Sequence, residues 1–158
     1  MGVTLLFGIV LAAILGAIAW IDFHKMIVPD VLSALLAAGG LAYQWAIFPE
    51  TLWLQALSGL VVFAAFWLIR RVHAVLTGRI GLGLGDVKMA GASAIWISPW
   101  NLPLFVFVAS FCGLVFAIGR YMLNGRPAAA RQPFGPFLAA GLFLTWIGEQ
   151  QIPYLRGL

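Results

Sequence analysis

Six apolar stretches, separated by short polar connections, constrain the fold of this sequence more than any other feature. They cover roughly residues 3–21, 31–48, 52–69, 87–98, 102–123 and 134–150. A helix that crosses about 30 Å of hydrocarbon needs about 20 apolar residues, so most of these stretches are long enough to span a bilayer. The fourth is short, and Pro99 and Pro103 leave open whether it crosses fully. We predict an all-α, polytopic membrane helix bundle of about six transmembrane helices, in a single domain over residues 1–158.

The composition excludes an ordinary water-soluble protein. Hydrophobic residues make up 63% of the 158 residues and charged residues only 9%, whereas soluble domains are about 25% charged. No Lys or Arg precedes Lys25, so we interpret the first stretch as a retained helix and not as a signal peptide. The net charge of +4 resides in short connections without a basic–aromatic cluster, and we expect no nucleic-acid partner.

The basic residues predict the orientation of the bundle. Eight of the nine fall in alternate connections, and so on one side of the membrane. These eight are Lys25, Arg70, Arg71, Arg79, Lys88, Arg120, Arg126 and Arg131. Only Arg156 falls on the other side. Because Lys and Arg are enriched in cytoplasmic loops, we expect the basic side to be cytoplasmic and both termini to lie outside.

Two of the five acids stand out by their position. Asp22 ends the first predicted helix and Asp86 opens the fourth, on the same side of the membrane, whereas Glu50 and Glu149 fall on the other side. An ionisable residue at the edge of hydrocarbon is a functional candidate by default. Two aspartates that meet share a proton, so that one can activate water as a base while the other acts as an acid. This chemistry requires no metal or other cofactor.

The glycines of GLGLGDVK, residues 81–88, precede the second of these acids. Glycine permits close backbone approach and unusual dihedral angles. Gly81, Gly83 and Gly85 are therefore suited to a loop that places Asp86 beside a substrate. The pattern fits equally well a plain loop in which Asp86 caps the next helix.

The other polar residues favour structural roles. Asp30, in VPD, occupies a good N-cap position for the second helix. Lys88 is interpreted as an interfacial anchor, and His73 has no evident chemical role. Cys112 lies in an apolar run as a small hydrophobic residue. The seven tryptophans are expected mostly near helix ends, in an aromatic belt.

Three segments carry a resemblance to a known family. AIAWIDFHKMIVPD resembles the first aspartate motif of bacterial type IV prepilin peptidases, and GLGLGDVKMAGASAIW resembles their second, the G-x-G-D motif of intramembrane aspartyl proteases. QPFGPFLAAG, residues 132–141, resembles the segment that opens their last helix. The three occur in the order found in the family and cover most of the chain.

The resemblance implies an aspartyl endopeptidase that removes a short basic leader, after a glycine, from type IV prepilins or pseudopilins at the cytoplasmic membrane face. It assigns catalysis to Asp22 and Asp86. It implies the bacterial inner membrane as location, and a type IV pilus or type II secretion system as the system served. Substrate-binding or loop-shaping roles fall to Gly83, Gly85, Lys88, Pro133, Phe134, Gly135 and Pro136.

The sequence also departs from the longest members of that family. Those carry an N-terminal cytoplasmic region with zinc-binding cysteines and also N-methylate the mature pilin. This sequence has a single cysteine, Cys112. We therefore expect no N-methyltransferase activity and no metal here. A non-catalytic carrier or assembly protein using the same acids is the alternative, and a presenilin-like protease is another. Carriers place polar groups near the middle of the membrane, whereas these acids lie at one edge. The oligomeric state stays open.

Overall fold

The described part of the chain forms six α-helices. The computed structural model describes residues 2–79, 81–124 and 132–152. The helices are α1 (Gly2–Lys25), α2 (Asp30–Ile47), α3 (Leu52–Thr77), α4 (Leu84–Ala94), α5 (Leu102–Asn124) and α6 (Gly135–Gln151). One-turn 3₁₀ helices precede α3 and α5. No strand occurs in these ranges, and the predicted all-α class is confirmed.

Four helical segments are long and apolar enough to cross a membrane. They are Gly2–Lys25, Asp30–Ile47, Pro49–Thr77 and Pro99–Leu123. Their outer surfaces carry exposed large apolar side chains, for example Leu76 and Leu123, as a lipid-facing surface requires. The remaining helices, α4 and α6, are shorter, with 11 and 17 residues. The architecture is that of a polytopic helical membrane protein.

The short helix α4 lies at the centre of the bundle. Apart from Lys88, its residues from Val87 to Ala94 are all buried, and it packs against α2, α3 and α6. Two glycines allow the close approach to α3. A Cβ added at Gly59 would lie 2.6 Å from Ile95 Cγ1, and one added at Gly91 would lie 2.8 Å from Phe63 Cβ. Small residues are the usual means by which helices approach closely in lipid.

Helix α3 is longer than its apolar stretch. It continues past residue 69 to Thr77, so Arg70 and Arg71 lie on the helix and not in the following connection, where the sequence analysis placed them. The helix ends at Gly78, which has a left-handed φ of 67° and donates its N–H to the carbonyl of Ala74. Glycine in this position is a common helix terminator.

The alternating helices separate the acids between the two ends of the bundle. One end holds the α1–α2, α3–α4 and α5–α6 connections together with Asp22 and Asp86, and is called the aspartate end below. At the opposite end, Oε1 of the buried Glu149 accepts hydrogen bonds from Ser98 N (2.8 Å) and Asn101 Nδ2 (2.6 Å). Three of the basic residues used to predict orientation, Arg126, Arg131 and Arg156, lie outside the described residues.

Two tryptophans depart from the expected aromatic belt. Trp96 and Trp146 are buried. Trp96 stacks on Tyr43 with ring centroids 5.6 Å apart and donates its Nε1–H to the carbonyl of Leu36 at 2.8 Å. Room for the ring comes from Gly40, where a Cβ would lie 2.9 Å from Nε1. Five tryptophans are exposed: Trp20, Trp45, Trp53, Trp67 and Trp100.

Candidate active site

Asp22 is a buried carboxylate that faces the start of another helix. It lies at the start of the last turn of α1 and is only 3% exposed. Its Oδ2 accepts a hydrogen bond of 2.8 Å from the backbone N–H of Gly135, the first residue of α6. Helix N-termini carry unpaired N–H groups and a positive end of the helix dipole, which stabilise negative charge. The Gly135 N–H therefore stabilises the ionised form of Asp22, whereas the burial of the carboxylate opposes ionisation.

Asp86 lies in the first turn of α4, and its side chain folds back over the residue that precedes the helix. Gly83 occupies the N-cap position, and its backbone N–H stabilises the Asp86 carboxylate. A Cβ at Gly83 would lie 2.9 Å from Asp86 Oδ2. This is the reciprocal half of a capping box, in which the third helical residue reaches back to the N-cap N–H. The capping role weighed from the sequence is thus present in a modified form.

Burial and the negative charge of Asp22 together raise the pKa of Asp86 to about 6, from an ordinary value of 3.8. The larger effect is the loss of water around the carboxylate, and the Gly83 N–H opposes it in part. Two nearby carboxylates cannot both ionise at low free-energy cost. Asp86 therefore keeps its proton to a higher pH than an exposed aspartate does.

The two carboxylates line one cavity of about 210 Å³ at the aspartate end. The other lining residues are Met26, Ile27, Val28, Gly83, Leu84 and Gly85. Asp22 and Asp86 are far apart in sequence, and the packing of α1, α4 and α6 brings them to this one site. The volume is enough for a few water molecules. An acid pair in contact with water is the arrangement that general acid–base hydrolysis of an amide requires.

Each glycine of the GLGLG segment meets a different neighbour. A Cβ at Gly85 would lie 2.9 Å from Val28 Cβ and 3.2 Å from Val28 O, in the connection that follows Asp22. A Cβ at Gly81 would lie 2.8 Å from the ring of His73. Gly85 thus lets the start of α4 approach the α1–α2 connection, which brings Asp86 towards Asp22.

Arg70 and His73 are site residues that sequence reasoning missed. Arg70 Nε donates to the carbonyl of Leu82 at 3.1 Å, and the His73 ring packs on Gly81. The i, i+3 spacing places both on one face of α3 and was visible in the sequence. The glycine segment that this face supports could not be identified without the fold.

Lys88 and Asp30 form an ion pair between α4 and α2. Lys88 Nζ lies 2.7 Å from Asp30 Oδ1. The prediction that Asp30 is an N-cap is wrong: Pro29 holds that position, and Asp30 begins the helix without a capping hydrogen bond. Its carboxylate turns instead towards the lysine. Lys88 does not line the cavity shared by Asp22 and Asp86.

The PFGPF segment forms the start of α6. Pro133 and Gly135 are buried, and Pro136 stands in the first turn, where proline is favoured. Phe134, at the N-cap position, lines a second cavity of about 400 Å³ together with Arg70, His73, Gly81 and Leu82. The direct contact of this segment with Asp22 is made by the backbone of Gly135.

Comparisons with known proteins agree on one family. Residues 9–118, which include Asp22 and Asp86, match the model of the type IV leader peptidase family. The chain is 32% identical over 152 residues to a prepilin leader peptidase/N-methyltransferase of Dichelobacter nodosus, covering 96% of this chain and 51% of the relative. It is 30% identical to the protein of the same name from Neisseria gonorrhoeae, over 92% of this chain and 49% of the relative.

A third relative carries a different name with a related meaning. The type 4 prepilin-like proteins leader peptide-processing enzyme of Escherichia coli O78:H11 is 31% identical, over 86% of this chain and 49% of the relative. The chain therefore spans about half the length of the curated relatives it matches. No solved structure is a significant match.

Proposed function

Because the chain belongs to the type IV leader peptidase family, we propose that it is a membrane aspartyl endopeptidase with Asp22 and Asp86 as its catalytic pair. The proposed substrates are type IV prepilins or pseudopilins, from which it removes the short basic leader. The names of the relatives support the substrate class. The observation that carries the mechanism is that both carboxylates line the same cavity.

The proposed reaction uses one ionised and one protonated aspartate. The ionised carboxylate takes a proton from water while the water oxygen attacks the carbonyl carbon of the scissile peptide. The protonated carboxyl gives its proton to the amide nitrogen as the C–N bond breaks. Transfer of the acquired proton between the two carboxyl groups restores the starting state.

The aspartate end is proposed to face the cytoplasm of the bacterial cell. Six of the basic residues that support this orientation are among the described residues: Lys25, Arg70, Arg71, Arg79, Lys88 and Arg120. The apolar segment of the substrate would lie in the membrane beside the enzyme, and its basic leader would stay in the cytoplasm. The scissile bond, near the membrane surface, would then be level with the cavity.

The position of the acids favours a peptidase over a carrier. Asp22 lies near the end of α1, and Asp86 lies in the first turn of α4, both at one end of the bundle. Carriers of ions or polar substrates typically bind them near the middle of the membrane, between broken helices. A pair of acids at the end of the bundle is suited to a substrate bond at the membrane surface.

The test is cleavage of a purified prepilin by single-residue variants in detergent or liposomes. Asp22→Asn and Asp86→Asn are each expected to abolish cleavage, because an amide can neither activate water nor donate a proton as a carboxyl does. Glu50→Gln is the matched control, since it neutralises an acid at the opposite end and should cleave normally. Full cleavage by Asp86→Asn, in protein shown to be folded by its thermal transition, would reject the proposal.

A further inference from the structure

We propose that the backbone N–H of Gly135 assigns the roles within the aspartate pair, by holding Asp22 as the ionised base and leaving Asp86 as the proton donor. Gly135 is on this view a positioning residue that acts through Asp22. The inference rests on the proposed function and goes beyond it, because neither the family nor the pair alone says which aspartate carries the proton.

The geometry around Asp22 is that of a stabilised anion. The carboxylate is buried, and its Oδ2 lies 2.8 Å from the Gly135 nitrogen at the start of α6. A hydrogen bond to a charged acceptor is about twice as strong as one between neutral groups. The N–H and the positive end of the α6 dipole act on the same oxygen and oppose the cost of burying its charge.

No charged side chain in the described residues takes over the stabilisation of the Asp22 anion from the Gly135 N–H. Over residues 2–79, 81–124 and 132–152 the only ion pair is Lys88–Asp30, so no cation pairs with either aspartate there. His24 and Lys25, on α1, are exposed, and His24 Nδ1 contacts the carbonyl of Trp20. Helix α4 carries Asp86 and one other charged residue, Lys88, which is paired with Asp30 of α2. From α6, Asp22 receives the Gly135 N–H.

Asp86 differs from Asp22 in its surroundings. The negative charge of Asp22 and burial both raise the pKa of Asp86, which reaches about 6. The Gly83 N–H offsets this effect only in part. Asp86 therefore keeps its proton in mildly acidic solution, as its proposed role of proton donor requires.

Only glycine fits at position 135 without displacing the base. A Cβ there would lie 2.8 Å from Asp22 Oδ2, 3.1 Å from Cγ and 3.2 Å from Cβ. The last of these atoms is close to the α1 backbone and cannot swing away. A larger residue would therefore push the carboxylate from the Gly135 N–H and from its place in the cavity.

The test is the pH profile of kcat/KM for Gly135→Ala. Loss of the hydrogen bond makes Asp22 harder to ionise, so the acidic limb should move to higher pH by about one unit. The value of kcat should fall about tenfold or more, because the reacting groups are misplaced, while KM changes little. Two controls should keep the wild-type profile: Gly16→Ala, where a Cβ meets nothing within 4 Å, and Gly113→Ala, where it meets Phe137 of α6 at 3.3 Å.

Movement of the alkaline limb instead would mean that Asp22 is the acid and would overturn the inference, as would an unchanged profile. Failure of the proposed function would give a different result, since both Asp→Asn variants would then still cleave.

Infrared spectroscopy tests the assignment even if Gly135→Ala fails to fold. At about pH 5, below the pKa of Asp86, the protonated-carboxyl band should be lost in Asp86→Asn and kept in Asp22→Asn. The opposite pattern would overturn the inference.

Discussion

At the scale of single residues, Asp86 shows how a reactive group lowers stability. Its folded-state pKa is about 6, compared with 3.8 for an ordinary aspartate. The folded protein therefore binds more protons than the unfolded chain between these values, and stability falls as the pH rises through this window. Above it, the folded state holds a carboxylate that would be better solvated in the unfolded chain.

Asp86→Asn should therefore be more stable than the wild type at neutral pH, by up to about 3 kcal/mol, because each pKa unit corresponds to about 1.36 kcal/mol. The gain should vanish at about pH 3, where the Asp86 carboxyl group is largely protonated in both the folded and the unfolded chain. Thermal unfolding in detergent at the two pH values measures it. Glu50→Gln, at an exposed acid, should show no such difference, and a gain for Asp86→Asn that is independent of pH would contradict the explanation.

The glycines show what a sequence can and cannot reveal at this scale. The spacing of Gly81, Gly83 and Gly85 before an acid predicted a need for close approach, and all three have close neighbours in the structure. Two of these neighbours, Val28 and His73, belong to other parts of the fold and could not be identified from the spacing. For Gly135, the family resemblance implied only a substrate-binding or loop-shaping role. Its contact with Asp22 spans 113 residues.

At the scale of elements, the end of α3 supports the segment that leads into α4. Arg70 binds the carbonyl of Leu82, and His73 packs on Gly81. The apolar stretch alone placed the end of this helix at residue 69, because periodicity cannot follow a helix into a basic turn. The termination signal at Gly78 was present in the sequence. The longer α3 thus gives Arg70, which the sequence analysis used only to predict topology, a supporting role beside the site.

Arg70→Met should lower the rate of leader cleavage about tenfold, since the segment before Asp86 loses its support and the acid is less well placed. The matched control is Arg71→Met, which removes the neighbouring exposed charge from the same turn of α3. Both variants change the net charge equally, so a purely electrostatic role would affect them alike. Initial rates at saturating and limiting prepilin separate the two explanations, and equal losses would contradict the positioning role.

At the scale of the whole molecule, the short helix α4 is packed among α2, α3 and α6. The composition and the six apolar stretches predicted a membrane helix bundle correctly, because lipid permits few other folds for such a chain. They could not predict that α4 is buried on nearly all sides. A short apolar stretch is equally consistent with a tilted transmembrane helix and with a helix in the core of the protein. Its Ala- and Gly-rich sequence, MAGASA, is what allows α3 to approach it closely.

The orientation of the bundle determines the side of the membrane from which a substrate can reach the two aspartates. The positive-inside rule predicts that the aspartate end faces the cytoplasm and that the opposite end, with Glu50, lies outside. In a Cys112→Ala background, Glu50→Cys should react with a membrane-impermeant maleimide in intact cells, whereas Thr77→Cys should react only after the membrane is opened. Both positions are exposed, so a difference in labelling reports sidedness and not burial. Labelling of Thr77→Cys in intact cells would place the aspartates on the outer surface and would exclude cleavage of a cytoplasmic leader.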